Sequence, residues 1–224
     1  MTNDVTNDVT NDATNDATNG RPSLSGLPVN LLLRNRAVVV VGGGRIAARK
    51  AASLIEAAAL VTVVAPLICD EMRALPATFV AREFEASDID GAWYVVAATD
   101  QPTVNRAVFD AAEARHTFCN SADDPANCSV TLMSVVRQGD LVVAIGSGGR
   151  SPALATWLRK HVASEMGPEY SDLLEILSVE REKLRAAGNS SEDADWEKAF
   201  ESGIIDLVRS GQLAEAEELL RSCL

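Results

Sequence analysis

A wholly apolar run, Ala37-Val38-Val39-Val40-Val41, ends directly on Gly42-Gly43-Gly44, and a helix-forming stretch rich in alanine follows from Ile46 to Ala59. A short β-branched run with no polar alternation belongs in a strand buried on both faces, which is the habit of parallel sheets covered by helices. The alternation continues down the chain. Leu60–Val64 is a second strand, Leu67–Leu75 a helix, Thr78–Ala81 a short strand and Trp93–Ala98 another. Pro102–Ala114 is a helix with proline at its first position, where the missing N–H is tolerated, and Thr117–Asn120 is one more strand. Strands separated by helices build βαβ units, so the expected class is α/β with a doubly wound parallel sheet.

After Asp123 the texture changes. Val130–Val136 and Asp140–Ile145 are expected to pair as a hairpin through Arg137-Gln138-Gly139. A glycine-serine loop leads to a helix over Pro152–Met166, and Glu169–Ala187 forms the next. Asn189–Asp193 is a polar linker, and Asp195–Leu220 reads as two short helices broken near Gly211. The division that results is a tail over 1–26, a nucleotide-binding unit over 27–132, a smaller region over 133–166 and a helical domain over 167–224. The tail is expected to be disordered, because its TND repeats hold too few apolar side chains to offset the entropy of ordering.

Composition removes several classes. No apolar stretch approaches the ~20 residues that span a bilayer, so no membrane partner is expected. With 20 basic residues against 32 acidic ones the net charge is −12, which disfavours nucleic acid as a partner. The 4 cysteines form no C-x-x-C pair, and the 2 histidines, His116 and His161, lie too far apart for a zinc spacing. No permanent metal is expected, and the thiols read as reduced, in keeping with a cytoplasmic protein.

Gly42-Gly43-Gly44-Arg45-Ile46-Ala47 matches G-x-G-x-x-A in the strand–turn–helix setting that gives the motif meaning, which makes the sheet Rossmann-type. One glycine allows the tight turn, Gly44 lets a pyrophosphate approach the backbone, and Ala47 lets helix and strand pack closely. The helix start then attracts the phosphates. The second strand ends at Ala65, where an acid commonly holds the adenosine ribose. The ribose would fall instead to Arg45, or to backbone near Pro66 and Leu67, and both NAD and NADP fit such an end. Thr99, closing the fourth strand, completes the candidate cofactor set.

Phe118-Cys119-Asn120-Ser121-Ala122-Asp123-Asp124-Pro125 lies at the carboxyl edge of the sheet, where open α/β sheets place ligands. A carboxylate there serves as general acid or base when burial raises its pKa, whereas Asp-Asp-Pro is also good turn chemistry. Ser147-Gly148-Gly149-Arg150 ahead of a helix makes an anion site, while Ser151 and Pro152 make an ordinary N-cap and first residue. Both readings can hold together.

Taken together, GGGRIAARKA, AATD, FCN-x-x-D and SGG-x-SP resemble the precorrin-2 dehydrogenase / sirohydrochlorin ferrochelatase family, from about Leu27 to Val162, with a weaker echo at Trp196–Phe200. The resemblance implies NAD-dependent oxidation of precorrin-2, a tetrapyrrole bearing eight carboxylates, to sirohydrochlorin. In some members it also implies insertion of ferrous iron as a second substrate. It places the catalytic aspartate on Asp123, cofactor contacts on Arg45, Ile46, Pro66 and Leu67, and a substrate-side serine on Ser147. Asn120, Gly148, Gly149 and Arg150 join the substrate side. It implies a homodimer formed through 133–166. Ala58 stands where the family has glycine, and Met133 where it has proline. Two alternatives stay open: a dehydrogenase without the iron step, and a non-catalytic nucleotide-sensing protein of the same fold.

Overall fold

The computed structural model describes residues 26–122, 124–190 and 194–224. Its centre is a five-stranded parallel sheet of β1 (Ala37–Val41), β2 (Leu60–Val64), β3 (Thr78–Val80), β4 (Tyr94–Ala97) and β5 (Phe118–Ser121), in the order β3-β2-β1-β4-β5. Strand order reverses between β1 and β4, which pair from Val38 opposite Tyr94 to Val41 opposite Ala97. Alternation along β1 divides the core. Val38 and Val40 pack with Ala47, Ala51 and Leu54 of α1 (Arg45–Glu56). Val39 and Val41 pack with Val108, Ala111 and Ala112 of α3 (Pro102–Glu113). The apolar β-branched runs are thus buried on both faces, as the Rossmann-type reading required.

Three local expectations need correction. Leu67–Leu75 is not one helix: only Asp70–Arg73 (α2) is helical. The Cys69 N–H donates to the Gly43 carbonyl at 2.8 Å, and the Leu67 carbonyl lies against Gly43, so Leu67–Cys69 is drawn out along the glycine turn. The expected strand at Val130 starts instead at Ser134. The N–H groups of Ser129 and Val130 donate to Cys119 O at 2.9 and 3.2 Å, which ties this segment to β5 before the chain crosses over. Strands β6 (Ser134–Gln138) and β7 (Leu141–Ile145) then pair antiparallel around Gly139-Asp140. Gly139, at φ 57, supplies the positive φ that the first position of a tight hairpin turn demands.

Helices α4 (Pro152–Glu165) and α5 (Glu169–Ala186) follow, and α4 packs on β6. The C-terminal stretch contains three helices rather than two: α6 (Trp196–Glu201), α7 (Ile204–Arg209) and α8 (Leu213–Cys223). Gly203 and Gly211, at φ 88 and 77, break it twice. Leu173 of α5 joins Ala199, Ile204, Val208, Ala216 and Leu220 in a separate small core. No helix among the described residues is long and apolar enough to cross a membrane.

Both histidines have structural places. His116, at φ 54, terminates α3 in the left-handed position that usually takes glycine. His161 stacks on Trp157 with ring centroids 5.5 Å apart.

Candidate dinucleotide and substrate site

The carboxyl edge of the sheet at the β1/β4 reversal is where doubly wound folds bind ligands. Each glycine of Gly42-Gly43-Gly44 has its own reason to lack a side chain. A Cβ on Gly42 would lie 2.3 Å from Ala98 O, and one on Gly43 would lie 1.9 Å from Leu67 O. A Cβ on Gly44 would meet nothing within 4 Å, so the space above it is open. Gly44 caps α1 without a side-chain hydrogen bond, and the first turn holds no acidic residue. The leading N–H groups of this 12-residue helix are therefore left without a side-chain cap. An uncapped helix start over an unobstructed glycine suits a pyrophosphate.

Around this turn the segment after β2 supplies Ala65, buried and without a polar group, then exposed Leu67. Ile46 is also exposed, at the start of α1. Arg45 reaches across to α2, its Nε 2.8 Å from Glu71 Oε1. On the far side of the reversal, Thr99 is held by a residue that sequence reasoning missed. The Thr99 N–H and hydroxyl both donate to Asn105 Oδ1, at 3.1 and 2.7 Å, and Asn105 Nδ2 donates to Thr99 O at 3.1 Å. Asn105 is buried on α3 between Val104 and Val108, and a polar residue on that apolar face was the available signal.

The β5 end is similarly tied. Asn120 is buried; its Oδ1 accepts from Lys50 Nζ of α1 at 2.8 Å, and its Nδ2 donates to Val130 O at 3.1 Å. Lys50 is the second residue that the sequence reading passed over. The Ala122 N–H donates to Ala97 O at 2.8 Å, extending the β4–β5 ladder to the edge of the loop. Beyond it, Asn127 Nδ2 donates to Asp124 Oδ2 at 2.6 Å, and the Cys128 thiol lies 3.4 Å from Ser121 O and from Asp124 O. Asp123, the expected base, lies outside the described residues. Burial pushes the Cys119 thiol up to about 12 and raises Cys128 as well, so both are held in the thiol form at neutral pH.

Ser147–Arg150 forms a tight turn with Gly148 and Gly149 at φ 57 and 73, closed by the Arg150 N–H on Ser147 O at 3.0 Å. Ser147 Oγ accepts from the Ser151 N–H, and Ser151 Oγ caps α4 by accepting from the Leu154 N–H, each at 3.2 Å. The N-cap reading of Ser151-Pro152 is therefore realised. Among the described residues no hydrogen bond or ion pair joins this loop to the glycine turn.

Comparison with known proteins fits this geometry. Residues 29–134 match the family described as putative NAD(P)-binding. A siroheme synthase of Photorhabdus laumondii is 35% identical over 200 residues, which is 87% of this chain and 43% of that protein. One from Thiobacillus denitrificans is 38% identical over 201 residues, 88% of this chain and 42% of that protein. Over that span this chain is similar to the siroheme synthases. It spans less than half the length of these curated relatives. A solved structure titled SirC, precorrin-2 dehydrogenase, superposes with a TM-score of 0.70 over 88% of this chain and 100% of its own. Its identity of 22% makes that a likeness of fold. The residues matched by the NAD(P)-binding model include the glycine turn.

Proposed function

We propose that this chain oxidises precorrin-2 to sirohydrochlorin with NAD as the hydride acceptor. The observation that carries the reading is the pairing of an uncapped α1 start over open Gly44 with the Asn120–Ser121 strand end, on opposite sides of β4 at one sheet edge. At the ~4.8 Å spacing of strands these lie about 10 Å apart, within the span of a dinucleotide. The names of its relatives supply the substrate class, siroheme precursors.

In this mechanism Gly42, Gly43 and Gly44, with the N–H groups of Arg45 and Ile46, hold the pyrophosphate. Pro66 and Leu67 flank the ribose, and Thr99, fixed by Asn105, lines the path toward β5. NAD held by these residues would supply the acceptor for the hydride that leaves a saturated ring carbon of the substrate. Asp123 takes the proton that must leave the macrocycle as the new double bond forms, so two electrons and both hydrogens are accounted for. Asn120, held by Lys50, fixes the strand end three positions ahead of Asp123 in the sequence. Ser147, Gly148, Gly149 and Arg150 receive substrate carboxylates, Arg150 offering the planar fork that matches them.

The same reading assigns nucleotide binding to 27–132, self-association to 133–166 and a helical domain to 167–224, in a cytoplasmic homodimer. Val135, Val142, Leu154 and Trp157 support it: all are exposed apolar side chains on β6, β7 and α4. Insertion of ferrous iron as a substrate is the second step, favoured by the metallated product in the relatives' name.

The test is an anaerobic assay of the purified protein with precorrin-2 and NAD, following sirohydrochlorin absorbance and then adding ferrous iron. Sirohydrochlorin formation is expected, and siroheme formation faster than the protein-free control adds the iron step. Asp123→Ala should keep NAD affinity and lose ~10²–10⁴-fold in oxidation, the usual worth of a general base. NAD binding with precorrin-2 untouched would make the chain a nucleotide sensor instead.

A further inference from the structure

In doubly wound dinucleotide folds the adenosine ribose sits between the glycine turn and the segment after the second strand, where an acid takes the 2′-hydroxyl or an arginine takes a 2′-phosphate. Here Ala65 offers neither. Six residues further on, however, Glu71 of α2 meets Arg45 of α1, Oε1 to Nε at 2.8 Å. The meeting follows from the fold. Cys69 N–H on Gly43 O at 2.8 Å pins the β2–α2 segment to the glycine turn, which brings the start of α2 against the start of α1. The ion pair therefore bridges the two walls of the ribose position. Its side chains are 84% and 52% exposed, so a ligand reaches both. The carboxyl is held below the usual carboxylate range by its own backbone N–H, the Cys69 side chain and Arg45, and is charged at neutral pH.

We propose that Glu71, resting on the dinucleotide reading above, is the residue that selects NAD over NADP. It does two things at once. Its carboxylate accepts from a ribose 2′-hydroxyl, replacing from α2 the acid that β2 lacks. By holding Arg45 it also withholds a guanidinium that would otherwise clamp a 2′-phosphate. A 2′-phosphate, with its charge of about −1.5 to −2, would have to sit beside this carboxylate and compete with it for Arg45.

Isothermal titration of the full chain with NAD and with NADP tests this for three proteins: wild type, Glu71→Gln and Glu71→Gln/Arg45→Met. Both positions are exposed, so the variants should fold, and far-UV circular dichroism verifies it. Wild type should prefer NAD. Glu71→Gln should weaken NAD and tighten NADP, closing the ratio by about tenfold or more, the worth of one charge-assisted hydrogen bond. The double variant should lose the NADP gain, because the freed arginine is gone. An unchanged ratio in Glu71→Gln, a wild type that prefers NADP, or a gain that survives removal of Arg45 would each overturn the assignment while leaving dinucleotide binding intact. Failure of folded wild type to bind either dinucleotide would overturn the dinucleotide reading, and this one with it.

Discussion

In β1 four of five residues are buried, whereas in β7 none of five is. Both strands are almost wholly apolar, AVVVV and LVVAI, so composition does not separate them. Neighbours do. β1 has β2 and β4 on its edges, with α1 packed on one face and α3 on the other, and its valines are consumed inside the chain. β7 has one strand partner and helices near one side, and Val142 is left exposed, as is Val135 of β6. A parallel sheet covered on both faces is complete in one chain, while a lone hairpin of this sequence needs further cover. The covered unit carries the turn assigned to the cofactor, and the open one carries the loop assigned to substrate.

The contrast is broken most directly at the glycine turn. Gly43→Ala drives a methyl to 1.9 Å from a backbone carbonyl that α1 and the β2–α2 segment jointly fix. We expect it to lose at least ~3 kcal/mol in urea unfolding, at the upper end of overpacking effects. In Gly44→Val next door the added Cβ would meet nothing within 4 Å, and the variant should unfold near the wild-type midpoint. That variant should instead weaken NAD binding, since the side chain fills the space left for the pyrophosphate. Equal destabilisation by both would mean that Gly44 is also a packing position.

On the open unit, Trp157→Glu tests whether exposed apolar side chains are covered by a second copy. Trp157 is 60% exposed, so the change should leave circular dichroism and NAD affinity untouched. Sedimentation equilibrium should show dimer dissociation strengthened by about 30-fold or more, the ~2 kcal/mol typical of a buried interface tryptophan. A wild type that sediments as a monomer at high concentration would remove the homodimer from the reading.

What was legible in the sequence follows the same divide. β1, the glycine turn and α1 are specified by adjacent residues, so strand, turn and helix were each readable to within a few positions. The β2–α2 segment was not, because Leu67–Cys69 takes its path from a contact with Gly43, more than twenty positions back. Val130 looked like strand and instead serves as a tether for β5, an arrangement that depends on Asn120 and Cys119 lying beneath it. In the site, glycines that exclude side chains left a signature in sequence. Lys50 and Asn105 did not, since their roles come from reaching Asn120, 70 residues away, and Thr99 across the strand edge. The break at Gly203 was overlooked in favour of Gly211, although both adopt positive φ.

Acid should sharpen the picture on the sheet side. Asp88 accepts from both terminal nitrogens of Arg82 and from the Glu85 N–H at 2.8 Å, and hydrogen bonding from Arg82 is the main force lowering its pKa. A depressed folded-state pKa stabilises above the unfolded value, ordinarily near 3.8, and that contribution disappears as pH falls through the lower folded value. Asp88→Asn should therefore cost about 1 kcal/mol at pH 7, as partly exposed pairs do. Urea midpoints of variant and wild type should converge as pH falls through the lowered folded-state value. A gap that persists there would assign the effect to packing rather than charge.

The smallest effect compares the two regions at one shared motif. Helices α1, α3, α5 and α7 all close in the same way, with paired backbone bonds such as Ala59 N–H on Leu54 O at 3.1 Å and Ala58 N–H on Ile55 O at 2.8 Å. Each closure puts one residue at left-handed φ. The helical region uses Gly188 and Gly211, at φ 81 and 77, whereas the sheet unit uses Ala58 and His116, at φ 57 and 54. An alanine there costs roughly 1–2 kcal/mol in Cβ–carbonyl strain, and glycine gives back part of the gain as unfolded-chain entropy. Ala58→Gly should thus stabilise by about 0.5–1 kcal/mol. Gly188→Ala, whose added Cβ would meet nothing within 4 Å, should destabilise by a similar ~1 kcal/mol, because conformation alone is at stake. Opposite shifts of comparable size in the urea midpoints would show that the sheet unit tolerates a strained helix end that its packing holds in place. A null result at Ala58 beside a loss at Gly188 would mean instead that the α1 closure relaxes away from positive φ in solution.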